Sequence, residues 1–236
     1  MTKRFLGLTV ALGTLVVLLV LYAFFKLPLP ASGPIQAIFF GTESPEEIEE
    51  VIRDPITFRI EQEESEVRYI IREVQGMMPN TVIGVTDQVA GEFTINPSEP
   101  DELEVSTIMI NARTFQTDEE LRDRAVQNRI LYTDTYEYIT FEPDEYDGLP
   151  EHGLVGESYD FQMTGKLTLL DETNEVTWDV TVEVISAERL EGTAQTTVRY
   201  GEWGVSVPEM PFIASVDDTV RLELDFVAAA VEEEDE

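Results

Sequence analysis

Long stretches of this chain alternate strictly between apolar and polar residues. From Val176 to Val184, and again from Val220 to Phe226, every second residue is apolar and the residues between are mostly charged or Thr. Successive side chains of a β-strand point to opposite faces, so this period of two predicts strands with one buried and one solvated face. Strands of that kind belong to antiparallel sheets.

The number of such strands predicts the architecture. About eight of them lie within residues 56–230, without the helix-length spacing of βαβ units, which favours an all-β fold with one closed antiparallel sheet, an eight-stranded barrel. Turn residues mark the connections at Asn96-Pro97, Asp147 to Pro150, Asp171 to Asn174 and Glu191-Gly192.

One segment within the predicted barrel has helical spacing instead. It runs from Thr117 to about Arg129, with Leu121, Ala125 and Val126 on one side. Thr117 and Glu120 are placed as the two partners of a capping box. We therefore expect one helix inserted between the early and the late strands.

An apolar run from Phe5 to Phe25 follows Lys3 and Arg4. As a helix it is long enough to cross the roughly 30 Å hydrocarbon layer of a bilayer. Because the positive charges precede the run and an acidic chain follows it, the N-terminus is expected inside and the rest extracytoplasmic. A cleaved signal peptide is the alternative, although its apolar region is usually shorter. We expect residues 1–26 to be a single-pass transmembrane anchor in the cell membrane.

Three short segments complete the predicted organisation. Residues 27–43 form a proline-rich linker. Residues 44–55 predict a short helix, with Ser44 as N-cap and Pro45 in the first turn. Residues 231–236 form an acidic, solvated tail.

Composition excludes several classes of function. The net charge of -33, from 48 acidic and 15 basic residues, opposes binding to nucleic acid. The chain has no cysteine and a single histidine, His152, so disulfides, a Cys nucleophile and the usual zinc sites are excluded. The acidity is typical of a strongly solvated surface, and adaptation to a salty medium is the alternative.

The predicted inner face of the barrel is apolar and almost without charge. An eight-stranded barrel can be filled by its own side chains or can hold one slim ligand. Each CH₂ group removed from water contributes about 0.8 kcal/mol, so a long hydrocarbon chain could be held without strong polar contacts. The alternation of residues leaves both interpretations open.

Several short stretches occur in a characteristic order between residues 56 and 230. They are Ser65-Glu66-Val67-Arg68-Tyr69, Val89-Ala90-Gly91-Glu92-Phe93, Thr117-Asp118, Arg122-Asp123, Tyr138-Ile139-Thr140-Phe141, the strand Phe161 to Thr168 with its Gly-x-Leu-Thr, Val176 to Val184, and Tyr200-Gly201-Glu202-Trp203-Gly204. In this order and spacing they resemble the YceI-like family of lipid-binding barrels. The acidic loop after Leu169, the acidic surface and the long anchor depart from the family pattern.

The resemblance implies an extended, lipocalin-like barrel with a helix near its mouth. It also implies a binding or carrier protein for an isoprenoid lipid, such as a polyprenyl or quinone-like tail, with no other cofactor. No catalytic motif comes with it. Strand parity and the resemblance together predict that the ligand contacts Val89, Phe93, Ile95, Ile108, Ile110, Phe115, Phe141, Phe161, Met163, Leu167, Trp178, Val180, Leu222 and Leu224.

The inserted helix offers candidates for contact with a polar ligand head. Arg122 or Arg124 would meet the head at the barrel mouth, and the alternative is an ordinary surface charge or ion pair. Phe115, just before the helix, would either cap the slot or pack under the helix.

Two other functions are weaker. Acidic clusters at residues 61–64 and 142–145 lack the environment of a catalytic carboxylate pair, and neither a calcium loop nor a Gly-x-Ser-x-Gly motif occurs. We therefore predict a non-enzyme without a metal site. The alternative to a lipid carrier is a structural or protein-interaction module with a fully packed barrel core. An enzyme acting on a lipid head group would need convergent polar residues at the mouth.

Overall fold

The structure is a computed structural model, and it describes residues 55–96, 103–151, 153–208 and 213–231. The predicted anchor, the linker, the short helix up to residue 54, His152 and the tail beyond Val231 lie outside these residues. Among the helices that are described, none is long and apolar enough to cross a bilayer.

The described chain consists mainly of strands. In chain order they are β1 (Ile56–Ile60), β2 (Glu66–Gln75), β3 (Met78–Thr86), β4 (Val89–Ala90), β5 (Glu92–Ile95), β6 (Glu104–Val105), β7 (Ile108–Asn111), β8 (Tyr138–Asp147), β9 (Ser158–Leu169), β10 (Glu172–Ser186), β11 (Arg189–Arg199), β12 (Ile213–Val216) and β13 (Thr219–Ala230). One short α-helix, α1 (Glu120–Ala125), continues into a π-helical turn (Val126–Ile130). The all-β class with one inserted helix is confirmed.

Within the described residues the strands form one antiparallel sheet, which is strongly curled. Strands β7 to β11 pair in sequence order, and β11 pairs with β13. Strand β13 then pairs with β2 through its first half and with β1 through its second half. Most strands therefore lie beside their neighbours in the chain, as in a meander.

The segment 89–95 brings the two ends of this sheet together. Strand β4 pairs with β7, whereas β5, which follows after Gly91, pairs with β1 on one edge and with β6 on the other. The amide of Ile60 also donates to the carbonyl oxygen of Gly91 at 3.0 Å. Gly91 suits this junction because a Cβ there would lie 3.2 Å from Ile108 and 3.3 Å from Ile60.

Two of the predicted turns are placed differently by the structure. Leu170, with φ of 59°, and Asp171 form the tight turn between β9 and β10, so Glu172 to Asn174 already belong to β10. The predicted turn at Glu191-Gly192 is wrong, because both residues lie inside β11. Gly192 is needed there for close packing: a Cβ would lie 2.6 Å from the ring of Phe226.

The inserted helix is shorter than the period of its apolar residues indicates. The α-helical part begins at Glu120, and its N-cap, Glu119, makes no side-chain cap bond. The predicted capping box is wrong, because the Oδ1 atom of Asp123 accepts hydrogen bonds from both the amide and the hydroxyl of Thr117, at 2.8 and 2.6 Å. Asp123 thus ties the loop before α1 to the helix.

The core fills the inside of the curled sheet with residues from the apolar faces of the strands. Val176, Trp178, Val180 and Val184 of β10 are all buried, as their alternation predicts. Trp203, in a 3-10 turn after β11, is also buried, and its Nε1–H donates to the carbonyl oxygen of Leu167 at 2.9 Å.

Candidate functional site

Two cavities lie inside the curled sheet. The first, which we call the apolar cavity, has a volume of about 140 Å³ and is lined by side chains of β9, β10, β11 and β13 together with Phe93 and Ile95. The second, the helix cavity, has a volume of about 160 Å³ and lies between α1 and the strands β2, β8 and β13. No residue lines both cavities.

Packed side chains occupy the space between the two cavities. Along β9, Met163 lines the apolar cavity and Leu169 the helix cavity, whereas Leu167 between them is buried and lines neither. On β10, Trp178 pairs with Met163 but lines neither cavity, and its ring meets that of Phe141, the partner of Leu167 on β8, edge-on with centroids 5.8 Å apart. The interior is thus divided by a middle layer, which we define as Val89, Phe141, Leu167 and Trp178.

The structure distributes the predicted ligand contacts over three places. Those that line the apolar cavity are Phe93, Ile95, Ile108, Phe161, Met163, Val180 and Leu224. Phe115 and Leu222 line the helix cavity. The remaining five line neither cavity: they are the four residues of the middle layer and Ile110, which packs against the core. Alternation identifies the inward face of a strand but not how deep each residue lies, so it does not separate these five residues from those that line a cavity.

The two predicted head-group arginines have different surroundings. Arg122 lines the helix cavity, and only 12% of its side chain is exposed. Arg124 lies on the outer side of α1, with 63% of its side chain exposed, and pairs with Glu120. Positions two residues apart on a helix point to nearly opposite sides, so only Arg122 reaches the interior.

Several lining residues were not predicted from the sequence. Val182, Val184 and Phe226 lie on the same strand faces as predicted residues, and Ile60 lies on the apolar face of β1, so parity could have identified all four. Leu190 was missed because Glu191-Gly192 was interpreted as a turn. Tyr69, Ile71 and Glu73 alternate along β2 and line the helix cavity, but the charge of Glu73 hides this alternation.

Glu73 and Arg122 form the polar end of the helix cavity. The Glu73 side chain is only 5% exposed, and its Oε1 accepts a hydrogen bond from Nδ2 of Asn80 at 2.9 Å. Arg122 approaches this same oxygen at 3.5 Å and also pairs with Glu119 at 3.4 Å and with Asp118. A buried carboxylate is stabilised when it has such partners.

Tyr69 lines the same cavity, four residues before Glu73 on β2. Its ring lies against Gly84 of β3, where a Cβ would be 2.1 Å from the ring, and meets the Phe115 ring edge-on at 5.2 Å. Its hydroxyl is buried and has no hydrogen-bond partner among the described residues. Burial above all, and then the Asp123 carboxylate, raise the pKa of Tyr69 to about 12, although Arg122 lowers it. The hydroxyl therefore keeps its proton at neutral pH and remains a donor.

The acidic cluster at residues 61–64 lies on the surface, where all four side chains are exposed. Glu64 is exposed and paired with Arg189, whose hydrogen bond and charge lower the pKa of this carboxyl. Among the described residues no group of three or more acidic or histidine side chains is arranged to hold a metal ion.

Comparison with known proteins identifies the family. A family model described as a YceI-like domain matches residues 58–228. The chain belongs to the YceI-like family. The resemblance seen in the sequence is thereby confirmed, and the matched range covers both cavities of this YceI-like domain.

Solved structures of low sequence identity share the fold. A polyisoprenoid binding domain from Saccharophagus degradans, implicated in plant cell wall breakdown, is 14% identical with a TM-score of 0.57, over 75% of this chain and 99% of that one. BcnA of Burkholderia cenocepacia is 17% identical with a TM-score of 0.57, over 72% and 99%. The YCEI protein of Campylobacter jejuni is 16% identical with a TM-score of 0.50, over 62% and 82%. No curated protein matches the chain.

Proposed function

We propose that this YceI-like chain is a binding or carrier protein for an isoprenoid lipid, with a polyprenyl or quinone-like tail held inside the sheet. The observation that carries the proposal is the apolar cavity, whose walls are almost entirely hydrocarbon side chains. The polyisoprenoid binding domain of Saccharophagus degradans has the same fold, which supports an isoprenoid ligand.

The proposed container is an eight-stranded, lipocalin-like barrel. The pairing supports it if strands that continue one another are counted together, because each resulting strand then has a neighbour on both sides. The eight strands are residues 56–75, 78–95, 104–111, 138–147, 158–169, 172–186, 189–199 and 213–230. A barrel of this size has room for one slim chain.

A long tail requires the middle layer to move. Each cavity is smaller than the roughly 300 Å³ at which small-molecule pockets begin, so a chain of many isoprene units must pass Leu167 and Trp178. Trp178 suits such a displacement, because its Nε1–H has no hydrogen-bond partner among the described residues. We propose that the tail joins the two cavities by pushing this ring aside.

A second candidate function follows from the same volumes. If the middle layer stays packed, the chain is a structural or protein-interaction module whose small cavities remain empty. The buried Phe141, Leu167 and Trp178 favour this alternative. Neither candidate is an enzyme.

The experiment that separates the two is lipid extraction. The full chain is purified in a nonionic detergent and extracted with organic solvent, and the extract is examined by mass spectrometry for polyprenols and quinones. Ala194→Phe places a ring in the apolar cavity, whereas Ala90→Phe places the same ring on the exposed face. We expect the lipid to be lost only from the Ala194 variant, with circular dichroism confirming that both variants fold.

The packed-module alternative makes the opposite prediction. Wild-type protein that yields no isoprenoid lipid, and binds none when quinones or polyprenols are added, would exclude the carrier function. Equal lipid content in the two alanine variants would show that the lipid was bound outside the cavity.

We also propose that residues 5–25 anchor the protein in the cytoplasmic membrane, with the barrel on the extracytoplasmic side. The apolar run and the preceding Lys3 and Arg4 support this orientation. A tethered barrel samples membrane lipid at high local concentration. Membrane fractionation followed by protease treatment of intact spheroplasts tests it: the barrel should sediment with membranes and be digested. A barrel that is protected or soluble would contradict the proposal.

A further inference from the structure

The two cavities differ in one chemical respect. The apolar cavity has no charged side chain in its wall, whereas the wall of the helix cavity includes Tyr69, Glu73 and Arg122. An isoprenoid lipid has the same asymmetry, with a long hydrocarbon tail and one polar head. If such a lipid binds, its head is stabilised in the helix cavity and its tail in the apolar cavity.

The charges at this polar end disfavour an anionic head. Arg122 is the cation in the cavity wall, and three carboxylates already contact it: Glu73, Glu119 and Asp118. A phosphate or diphosphate would approach a surplus of negative charge, with the Glu73 carboxylate buried and unable to be screened by solvent. Like charges brought together at a desolvated site are strongly unfavourable.

The same cavity offers one donor without a partner among the described residues. The Tyr69 hydroxyl is one of two buried side-chain donors that lack a hydrogen-bond partner among the described residues, and the other, on Trp178, lines neither cavity. A buried donor without a partner is costly and uncommon. A ligand oxygen that accepts this hydrogen bond would remove the cost on binding.

We propose that the helix cavity is a selective head-group site, in which the Tyr69 hydroxyl donates a hydrogen bond to a neutral carbonyl oxygen and the carboxylates around Arg122 exclude phosphorylated heads. This inference rests on the proposed function and narrows the ligand to isoprenoids with an uncharged, carbonyl-bearing head, such as a quinone. An ordered water on the hydroxyl is the competing explanation, and the experiment includes it as an outcome.

The test uses three probes with the same isoprenoid tail: a benzoquinone head, a phosphate head and no head. Binding to the full chain in nonionic detergent is measured by calorimetry. We expect the quinone to bind most tightly, the headless hydrocarbon less tightly and the phosphate least. A phosphate that binds as tightly as the quinone, or more tightly, overturns the proposal.

Tyr69→Phe removes the hydroxyl and keeps the ring that packs on Gly84 and Phe115. We expect about a tenfold loss of affinity for the quinone, since one hydrogen bond is worth about a tenfold change, and no change for the headless hydrocarbon. Tyr138→Phe is the matched control, because Tyr138 is 48% exposed and lines neither cavity. Equal affinities of wild type and the Tyr69 variant for the quinone assign the hydroxyl to water and overturn the proposal.

Glu73→Gln tests the electrostatic part independently. The glutamine keeps an oxygen for Asn80 and removes one negative charge beside Arg122. We expect affinity for the phosphate probe to rise about tenfold while that for the quinone stays constant. Glu183→Gln removes the same charge from the exposed face of β10 and should change neither. If the affinity for the phosphate probe is unchanged, or is changed equally by both variants, the proposed exclusion of phosphorylated heads is overturned.

Infrared spectroscopy supplies a readout that a structural role would not move. A hydrogen bond to a quinone lowers its carbonyl stretching frequency, so the bound quinone should show a lowered band in wild type and not in Tyr69→Phe. If the headless hydrocarbon binds but this band does not differ, the head-group site is refuted while the carrier function stands. If none of the three probes binds, both are refuted.

Discussion

Gly165, in the middle of β9, shows how one residue fixes the approach of two strands. A Cβ at this position would lie 2.3 Å from the carbonyl oxygen of Glu142 and 2.7 Å from Cα of Pro143. Both atoms belong to the backbone of β8, where the pairing with β9 is irregular between Pro143 and Glu145. The glycine of the Gly-x-Leu-Thr stretch is therefore required by packing between strands.

Gly165→Ala should lower the free energy of unfolding by about 1–3 kcal/mol, because backbone cannot yield to the added methyl as a flexible side chain would. Chemical denaturation measures the change. Gly201→Ala is the control, since a Cβ there meets nothing within 4 Å, and we expect it to stay within about 0.5 kcal/mol of wild type. Equal effects of the two substitutions would contradict the packing argument.

The two tryptophans of the core provide a matched comparison at the same scale. Both are buried, but Nε1–H of Trp203 donates to Leu167 whereas that of Trp178 has no partner among the described residues. Phenylalanine at either position removes the N–H and part of the ring. Trp203→Phe should therefore be more destabilising than Trp178→Phe by about 1 kcal/mol in denaturant unfolding. The reverse order would mean that the Trp178 N–H is bonded.

At the scale of elements, the short helix α1 depends on one side chain, Asp123, for its attachment to the preceding loop. Its α-helical part runs only from Glu120 to Ala125, too short to be stable alone. Asp123 compensates, because its carboxylate accepts both hydrogen-bond donors of Thr117. This one side chain fixes the loop before the helix and, through α1, the position of Arg122 over the helix cavity.

Asp123→Ala should loosen α1 without unfolding the sheet. We expect faster amide hydrogen exchange across residues 117–130 and a loss of about 1–2 kcal/mol of local stability, since two hydrogen bonds to a charged acceptor are removed. Exchange read out by mass spectrometry localises the effect. Glu120→Ala serves as control, because the Glu120–Arg124 pair is exposed and such pairs contribute little. If Glu120→Ala loosens the helix as much as Asp123→Ala, the result would contradict the role given to Asp123 and favour the predicted capping box.

Across the whole molecule, the main electrostatic feature is the shortage of cations. The full sequence carries a net charge of -33, and some of the described arginines are each shared among several carboxylates. Arg68 contacts Glu66, Glu223 and Asp225, and Arg189 contacts Glu64 and Glu191. The remaining carboxylates repel one another, which opposes the compact state more than the unfolded chain.

Salt should therefore stabilise the protein. The Debye length falls from about 10 Å at 0.1 M to about 3 Å at 1 M, which screens repulsion between exposed carboxylates. We expect the urea midpoint of the full chain in nonionic detergent to rise steadily with sodium chloride. The same titration with sucrose, which has no charge, separates screening from general exclusion effects. A midpoint that is constant or falls with salt would show that the ion pairs outweigh the repulsion.

Much of the fold could be predicted from local pattern. The alternation from Val176 to Val184 depends only on which face of a strand meets the core, and the structure buries that face. The cavity residues that share a face with it, such as Val180, followed from the same parity. Where a signal has two physical causes, prediction failed: Gly192 permits close packing inside β11, although glycine next to an acidic residue is typical of turns.

The sequence by itself determined the antiparallel strands, the inserted helix, the apolar interior and the acidic exterior. Each of these depends on how apolar and charged residues alternate within a short segment of the chain. Only the tertiary structure decided that Leu167 and Trp178 divide the interior into two cavities. It alone brought Glu73 of β2, Arg122 of α1 and the unpaired hydroxyl of Tyr69 into the wall of one cavity. Depth inside a curled sheet, and the meeting of side chains from distant strands, depend on curvature and pairing, which no local pattern encodes.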